Sequence, residues 1–223
     1  MNFEPILRRL IRATLNASAT VLVAPAVLIC YLETKRGRGY ERFFHGWGQC
    51  FALLPGLFGM CLRRAFYRGT LTHCSHDCQI SFGVLFNHRE AIVDREVYIG
   101  PYALLGRVQL RRGCLIGSRS SILSTGQHHK LDDQGRWTTP DGLTFEMTEI
   151  GDYSWIGEGA IVMADVGEGA MLSAGAVTAS RVPDHVMVAG NPARFVKKLV
   201  SKEHEGPEEV ETAMPARRVN KRN

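Results

Sequence analysis

From residue 91 onward, an aliphatic side chain follows a small one by two positions, and the pair recurs every six residues. Val93, Ile99 and Leu105 form one run, Leu110, Ile116 and Ile122 a second, and Ile150, Ile156 and Val162 a third. Their minus-two partners are Ala91, Val97, Ala103, Val108, Cys114, Ser120, Thr148, Ser154 and Ala160. The step shortens to five between Leu105 and Leu110 and to four between Val162 and Val166, slips that a bulge or short corner absorbs. A period of six fits neither a 3.6-residue helix nor the two-residue alternation of a hairpin sheet. It is the signature of a parallel β-helix. Each hexad supplies one short strand and one corner, and three hexads complete a coil. Glycine suits the corners, where backbone angles are unusual.

Two stretches break the pattern. Between Ser124 and Glu149 the chain is too long and polar for a corner. It is expected to be an extruded loop, the kind of element on which function concentrates. At the other end, Ala13 to Leu32 is uncharged, with Arg8, Arg9 and Arg12 before it and Lys35, Arg36 and Arg38 after it. A second uncharged run, Gly46 to Leu62, is interrupted by Pro55 and Gly56. The first run just reaches the length needed to cross a bilayer. A hairpin of two spans would leave its basic linker outside, against the positive-inside preference. Two readings stay open for this region: helices lying in or dipping into the inner leaflet, which we favour, and a helical subdomain packed on the β-helix.

Charge sharpens this picture. Residues 1–70 carry ten Lys and Arg against three acids, whereas the remainder carries seventeen against nineteen. A basic excess beside apolar segments fits an anionic membrane surface, and no aromatic-and-basic nucleic-acid motif accompanies it. The six cysteines show no extracellular framework and read as reduced thiols. His73, Cys74, His76 and Cys78 have the look of a metal cluster, but no second ligand pair follows at finger-like spacing, so no metal is expected. The charged, aromatic-free tail after Ser201 reads as disordered.

Three motifs carry a resemblance: W-I-G at Trp155–Gly157, S-A-G-A at Ser173–Ala176 and A-G-N-P-A-R at Ala189–Arg194. Over about residues 71–200 the chain resembles hexapeptide-repeat acyltransferases. The similar branch includes the galactoside, maltose and xenobiotic O-acetyltransferases and the polysaccharide-biosynthesis acetyltransferases. The resemblance implies an all-β fold, a left-handed parallel β-helix of hexapeptide repeats with an extruded loop, to which the apolar N-terminal helices read above and a short C-terminal helix are added. Left-handed crossovers are an exception to the usual rule for parallel strands. Together with the charge and apolar runs above, it divides the chain into three regions: 1–70, an apolar and basic membrane-associating segment; 71–192, the acyltransferase domain; and 193–223, a C-terminal helix and charged tail. It also implies a homotrimer with acetyl-CoA as donor, bound in the groove between neighbouring coils.

The same resemblance assigns the site. Its catalytic histidine stands at the base of the loop, where a general base must take a proton from an attacking hydroxyl. One branch's spacing lands on Gln127, next to His128; the other lands on His129 and pairs it with an aspartate at the position of Asp132. We favour His129 over His128. Trp155, Gly157, Ala174 and Gly175 match the donor groove, and Arg194 and Lys197 suit the nucleotide phosphates. Ala179 and Ser180 depart from the Thr-Lys of many relatives. Asn87 and His88 are candidates for orienting the acceptor. The expected function is O-acetylation of a sugar or lipid-linked polysaccharide precursor in the cytoplasm at the membrane face. The competing readings are a non-catalytic β-helix module and a β-helix carbonic anhydrase, which needs three zinc histidines from neighbouring coils and subunits.

Overall fold

The computed structural model describes residues 3–37, 40–124, 129–138 and 146–199, without the side chains of residues 3–12 and Lys130. Three helices come first: α1 (Phe3–Thr34), α2 (Arg42–Ala52) and α3 (Gly56–Thr70). Six coils of β-helix follow. The first comprises β1 (His73–Cys74), β2 (Gln79–Ile80) and β3 (Leu85–Phe86), and the second β4 (Ile92–Val93), β5 (Tyr98–Ile99) and β6 (Leu104–Leu105). The third comprises β7 (Val108–Leu110), β8 (Leu115–Ile116) and β9 (Ser121–Ile122). A hairpin of β10 (Lys130–Leu131) and β11 (Trp137–Thr138) then leaves the body. The fourth coil is β12 (Thr148–Ile150), β13 (Trp155–Ile156) and β14 (Ile161–Val162). The fifth has a bridge at Val166, then β15 (Met171–Leu172) and β16 (Val177–Thr178). The sixth has a bridge at Val182 and ends on β17 (Val186–Ala189), followed by β18 (Arg194–Lys198).

Like strands stack in parallel into three faces: face A (β1-β4-β7-β12), face B (β2-β5-β8-β13-β15-β17, with β18 at its edge) and face C (β3-β6-β9-β14-β16). The hexad residues read from the sequence fill the interior. Val93, Ile99, Leu105, Leu110, Ile116, Ile122, Ile150, Ile156 and Val162 are all fully buried, and so are their small minus-two partners. The repeat also starts one coil earlier than its aliphatic pattern suggests. Cys74, Ile80 and Phe86 are buried and six apart, so the His73–Cys78 stretch is the first strand and corner. Its two cysteines face inward with sulfurs 3.6 Å apart, while His73 and His76 are exposed.

The coils pack as closely as backbone allows. A Cβ added at Gly100, Gly117, Gly151 or Gly157 would stand 2.5–2.7 Å from a backbone nitrogen of the next coil. The nitrogens of Ser81, Gly100, Gly117, Gly157 and Ser173 each donate to the carbonyl of the next coil at 2.7–3.0 Å. This ladder runs from the third coil to the fourth as though the loop were absent, and Thr148 Oγ1 closes the loop's base on the Leu123 carbonyl at 2.6 Å.

An open coil end would expose unpaired strand groups and core, and each end is covered differently. At the start, α2 packs on β3, and α3 packs on β1 and β2. Arg63 of α3 is buried and donates to the carbonyls of Ile80, Phe51 and Leu54. Arg89 then ties the helices to the first coil. Its guanidinium reaches Glu33 at 2.9 Å, Glu41 at 3.2 Å and the Cys30 carbonyl at 3.1 Å. At the far end the expected C-terminal helix is corrected: residues 194–198 form β18, antiparallel to β17. Gly190, at φ +94°, reverses the chain, and the returning segment pairs with the edge that β17 would otherwise leave open.

Two outcomes are expected. Gly157→Ala should lower stability by about 1–3 kcal/mol, the usual cost of overpacking, measured by urea unfolding. Burial opposes ionisation of Glu41, but its hydrogen bonds to His88 and the Arg89 backbone hold the carboxyl below its ordinary 4.5. Its contribution is therefore complete above the ordinary value and is lost as pH falls through the lower folded-state value. Urea unfolding between about pH 3 and 5 should show a shallower fall in stability for Glu41→Gln than for the native chain.

Candidate functional site

The corners, rather than the faces, differ from coil to coil. At the corner between faces B and C the positive-φ residues are Gly83, Tyr102, Arg119, Gly159 and Gly175. The Tyr102 ring covers Gly83, and the corner between A and B repeats the device, with Tyr153 over Gly113 and His185 over Gly169. Gly159 and Gly175 are different. A Cβ at either meets nothing within 4 Å, so coils four and five present bare backbone to the outside at this corner. Such a corner admits a slender chain at van der Waals distance, which is the fit that a pantetheine arm requires.

The residues expected on the donor side lie on the adjoining face B, on its edge strand β18 and at the corner itself. Trp155, 49% exposed, stands on face B in register with Leu115 and Met171, Met171 pairs with Met187, and Met187 pairs with Lys197. Trp155 and Lys197 thus share one outward row. Ala174 and Gly175 lie on the adjoining corner. Arg194 is exposed on β18 opposite Ala189, and its guanidinium donates to the Ala193 carbonyl at 3.0 Å. Gly157 also makes room for the backbone of Ala174 in the next coil. Gly159 is the residue that sequence reasoning missed. It sits sixteen positions before Gly175, the spacing of one coil, and this spacing is the signal that finds it.

His129 is exposed just ahead of β10. His128 lies outside the described residues. Asp132 is occupied locally. It accepts the backbone N–H groups of Gln134 and Arg136 at 2.9 Å and pairs with the Arg136 side chain. The Arg136 backbone N–H leads in holding its carboxyl below the usual range. Asp132 therefore shapes the hairpin turn. Asn87 and His88, expected on the acceptor side, follow β3 at the corner between faces C and A, the corner that also carries Ser124. His88 Nδ1 lies 3.4 Å from Glu41, and the His45 ring donates to the Asn87 carbonyl at 2.9 Å. These contacts hold the two residues against the helices.

Face A carries a groove of about 750 Å³ lined by His73, Arg95, Arg111, Asp152, Arg181 and other charged residues. Its charges are of both signs, with carboxylates outnumbering arginines: Arg111 pairs with Glu149 at 2.7 Å, while Asp165 and Asp184 accept backbone N–H groups of the adjacent coil. Such a cancelling surface does not select a phosphate.

No family model matches the sequence. The chain is 27% identical over 136 residues to YJL218W of Saccharomyces cerevisiae, named as an acetyltransferase, across 59% of this chain and 62% of the yeast protein. It is 28% identical over 124 residues to a protein of Lysinibacillus sphaericus named as a macrolide acetyltransferase, across 48% of this chain and 65% of that one. The chain thus spans a little under two thirds of the length of these relatives. In fold it is similar to galactoside acetyltransferase, solved in complex with coenzyme A. There the TM-score is 0.51 at 15% identity, across 75% of this chain and 88% of that chain. By sequence and by fold, the chain is similar to the hexapeptide-repeat acetyltransferases.

The bare corner yields a test. Gly175→Asn keeps a residue tolerant of positive φ but fills the open space. The protein should stay folded while coenzyme A affinity, measured by calorimetry, falls at least about tenfold, the effect of about 1.4 kcal/mol.

Proposed function

We propose that this chain is an acetyl-CoA-dependent O-acetyltransferase acting on a hydroxyl of a sugar or lipid-linked saccharide precursor. The observation that carries this reading is the uncovered backbone at Gly159 and Gly175, flanked by the Trp155–Lys197 row. The bound donor would supply an activated acetyl thioester. Ala174 and Gly175 would lie along its arm, and Arg194 and Lys197 would meet its phosphates, each as a charge-assisted contact. His129 would accept the proton of the acceptor hydroxyl as its oxygen attacks the thioester carbonyl, and would return it to the departing sulfur. The galactoside acetyltransferase fold supports a sugar acceptor, and the apolar helix α1 with exposed basic residues at its end supports a protein held at a membrane.

Geometry also favours a homotrimer. The donor corner and the corner from which the chain departs toward His129 lie at opposite edges of face C. Ser118 and Ser124 bracket that face, so the corners stand up to about 20 Å apart at 3.3 Å per residue. A second copy brings the two together if face B of one chain meets face C of the next. Both faces carry apolar outward rows, Leu115 and Trp155 on B and Leu104 and Ile161 on C, whereas face A is charged.

In the full-length protein, His129→Ala should reduce acetyl transfer by about 10²–10⁴-fold with coenzyme A binding nearly unchanged, and His128→Ala should cost less. Mixing His129→Ala subunits with Gly175→Asn subunits should restore part of the activity, because one native site of each kind is recovered at a shared interface. Full activity of the His128/His129 double variant would overturn the assignment of the base. A monomer by light scattering in detergent would overturn the shared site.

A further inference from the structure

The helical layer has an outer side that the fold does not use. Along α1 one stripe is buried: Ala19, Val23, Ala26, Cys30 and Glu33, at the four-three spacing of a single helix face. The small side chains of this stripe bring α1 close to α3, where a Cβ on Gly69 would come within 2.8 Å of Val27. The opposite face is apolar too, with Val21, Leu22, Leu28 and Leu32 exposed, and the α2–α3 turn adds Leu53, Leu57 and Phe58. A helix uncharged from 13 to 32, buried on one side and mainly apolar on the other, is matched by an apolar medium on that other side.

Charge identifies the medium. Glu33 and Glu41 are the only acidic residues in 13–70, and both are turned inward onto Arg89. The described basic side chains Lys35, Arg36, Arg42 and Arg68 are exposed. The outward charge of this layer, among the described residues 13–70, is therefore entirely positive. Arg68 also borders an apolar groove of about 460 Å³ between α1 and α3, lined by Val23, Val27, Leu28 and Ala65. An acyl chain with an anionic head group matches both parts of that groove.

Segment 13–34 is long and apolar enough to cross a bilayer, but its ends are tied down. Asn16 accepts from Arg64 at 2.6 Å, and Arg64 also reaches the Cys78 carbonyl of the first coil. Glu33 is clamped by Arg89 and accepts the Phe43 and Phe44 N–H groups. A span would have to break contacts at both ends and leave Glu33 unpaired in lipid, at a high cost.

We propose that the helical layer docks the protein flat on an anionic bilayer, with the exposed face of α1 in the acyl boundary and its basic residues on the head groups. This inference rests on the helices alone and is independent of the acetyl-transfer reading. The test uses full-length protein purified in detergent and mixed with vesicles of phosphatidylcholine, with or without phosphatidylglycerol. Flotation with phosphatidylglycerol vesicles should be strong and only partly reversed by salt, since apolar insertion is not screened. Leu22→Asp with Leu28→Asp should weaken flotation at least tenfold on both vesicles, whereas Lys35→Glu, Arg36→Glu and Arg68→Glu together should weaken it on the anionic ones alone. Melting temperature and coenzyme A binding should be unchanged in both variants, so a failure of docking is distinct from a failure of the chemistry. A fluorophore on Leu28→Cys, with Cys50→Ser removing the exposed native thiol, should be quenched by lipids labelled near the head group. Quenching from the bilayer centre would mean that α1 spans, and would overturn surface docking. So would absence of flotation, or a Leu22/Leu28 variant that floats normally but forms a smaller assembly, which would make this face a contact between copies.

Discussion

Each coil of this protein rests on the next across a gap too narrow for one side-chain carbon. The corner glycines stand where a Cβ would meet the backbone nitrogen of the following coil at 2.5–2.7 Å. That approach keeps the inter-coil hydrogen bonds short and in one register from Ser81 to Val188. It also stacks corner on corner. Where consecutive corners carry rings, one coil's side chain roofs the glycine below. Where two uncovered glycines succeed each other, at Gly159 and Gly175, the stack leaves a strip of naked main chain. The same constraint that builds the prism thus builds its one distinctive edge.

A stack of this kind has two ends, and the protein treats them by different physics. The last strand is paired by the chain's own return, through β18. The first coil is roofed by two helices whose attachment is polar as much as apolar. Arg63 satisfies carbonyls of the α2–α3 turn and of β2, and Arg89 gathers two carboxylates and a carbonyl from three separate positions. Leaving Glu33 without that guanidinium would strand a buried charge, a loss usually worth about 3–5 kcal/mol.

The interior of the fold was legible because it is periodic. Each inward Ile, Leu or Val at a hexad position is selected by the same slot, so nine of them announce the slot nine times. The first coil escaped notice because its slots hold Cys74 and Phe86, which do not look like hexad residues. The C-terminal segment was misjudged because A-R-F-V-K-K has no period, and only the open edge beside it decides that it becomes a strand. Trp155 and Lys197 were legible as residue types, but their alignment along one row is a fact of register across coils. His88 and Asp132 were legible as polar residues near a site. Their partners, Glu41 and the hairpin backbone, are distant or conformational, and neither leaves a trace in local sequence.

The coil count between roof and loop carries a consequence of its own. The loop bearing His129 leaves after the third coil, and the roof sits on the first. Parallel strands repeat every 4.7–4.9 Å, so about two such intervals set the distance from the helices to the loop base, with no hinge between them. A solenoid is additive along its axis, so this part of the molecule behaves as a graduated rod. One inserted coil would lift the loop by a single graduation and leave both ends as they are. The reach of the loop from whatever the helices rest on is thus written in whole coils, a quantity that insertions of repeat units can change stepwise while every local contact is preserved.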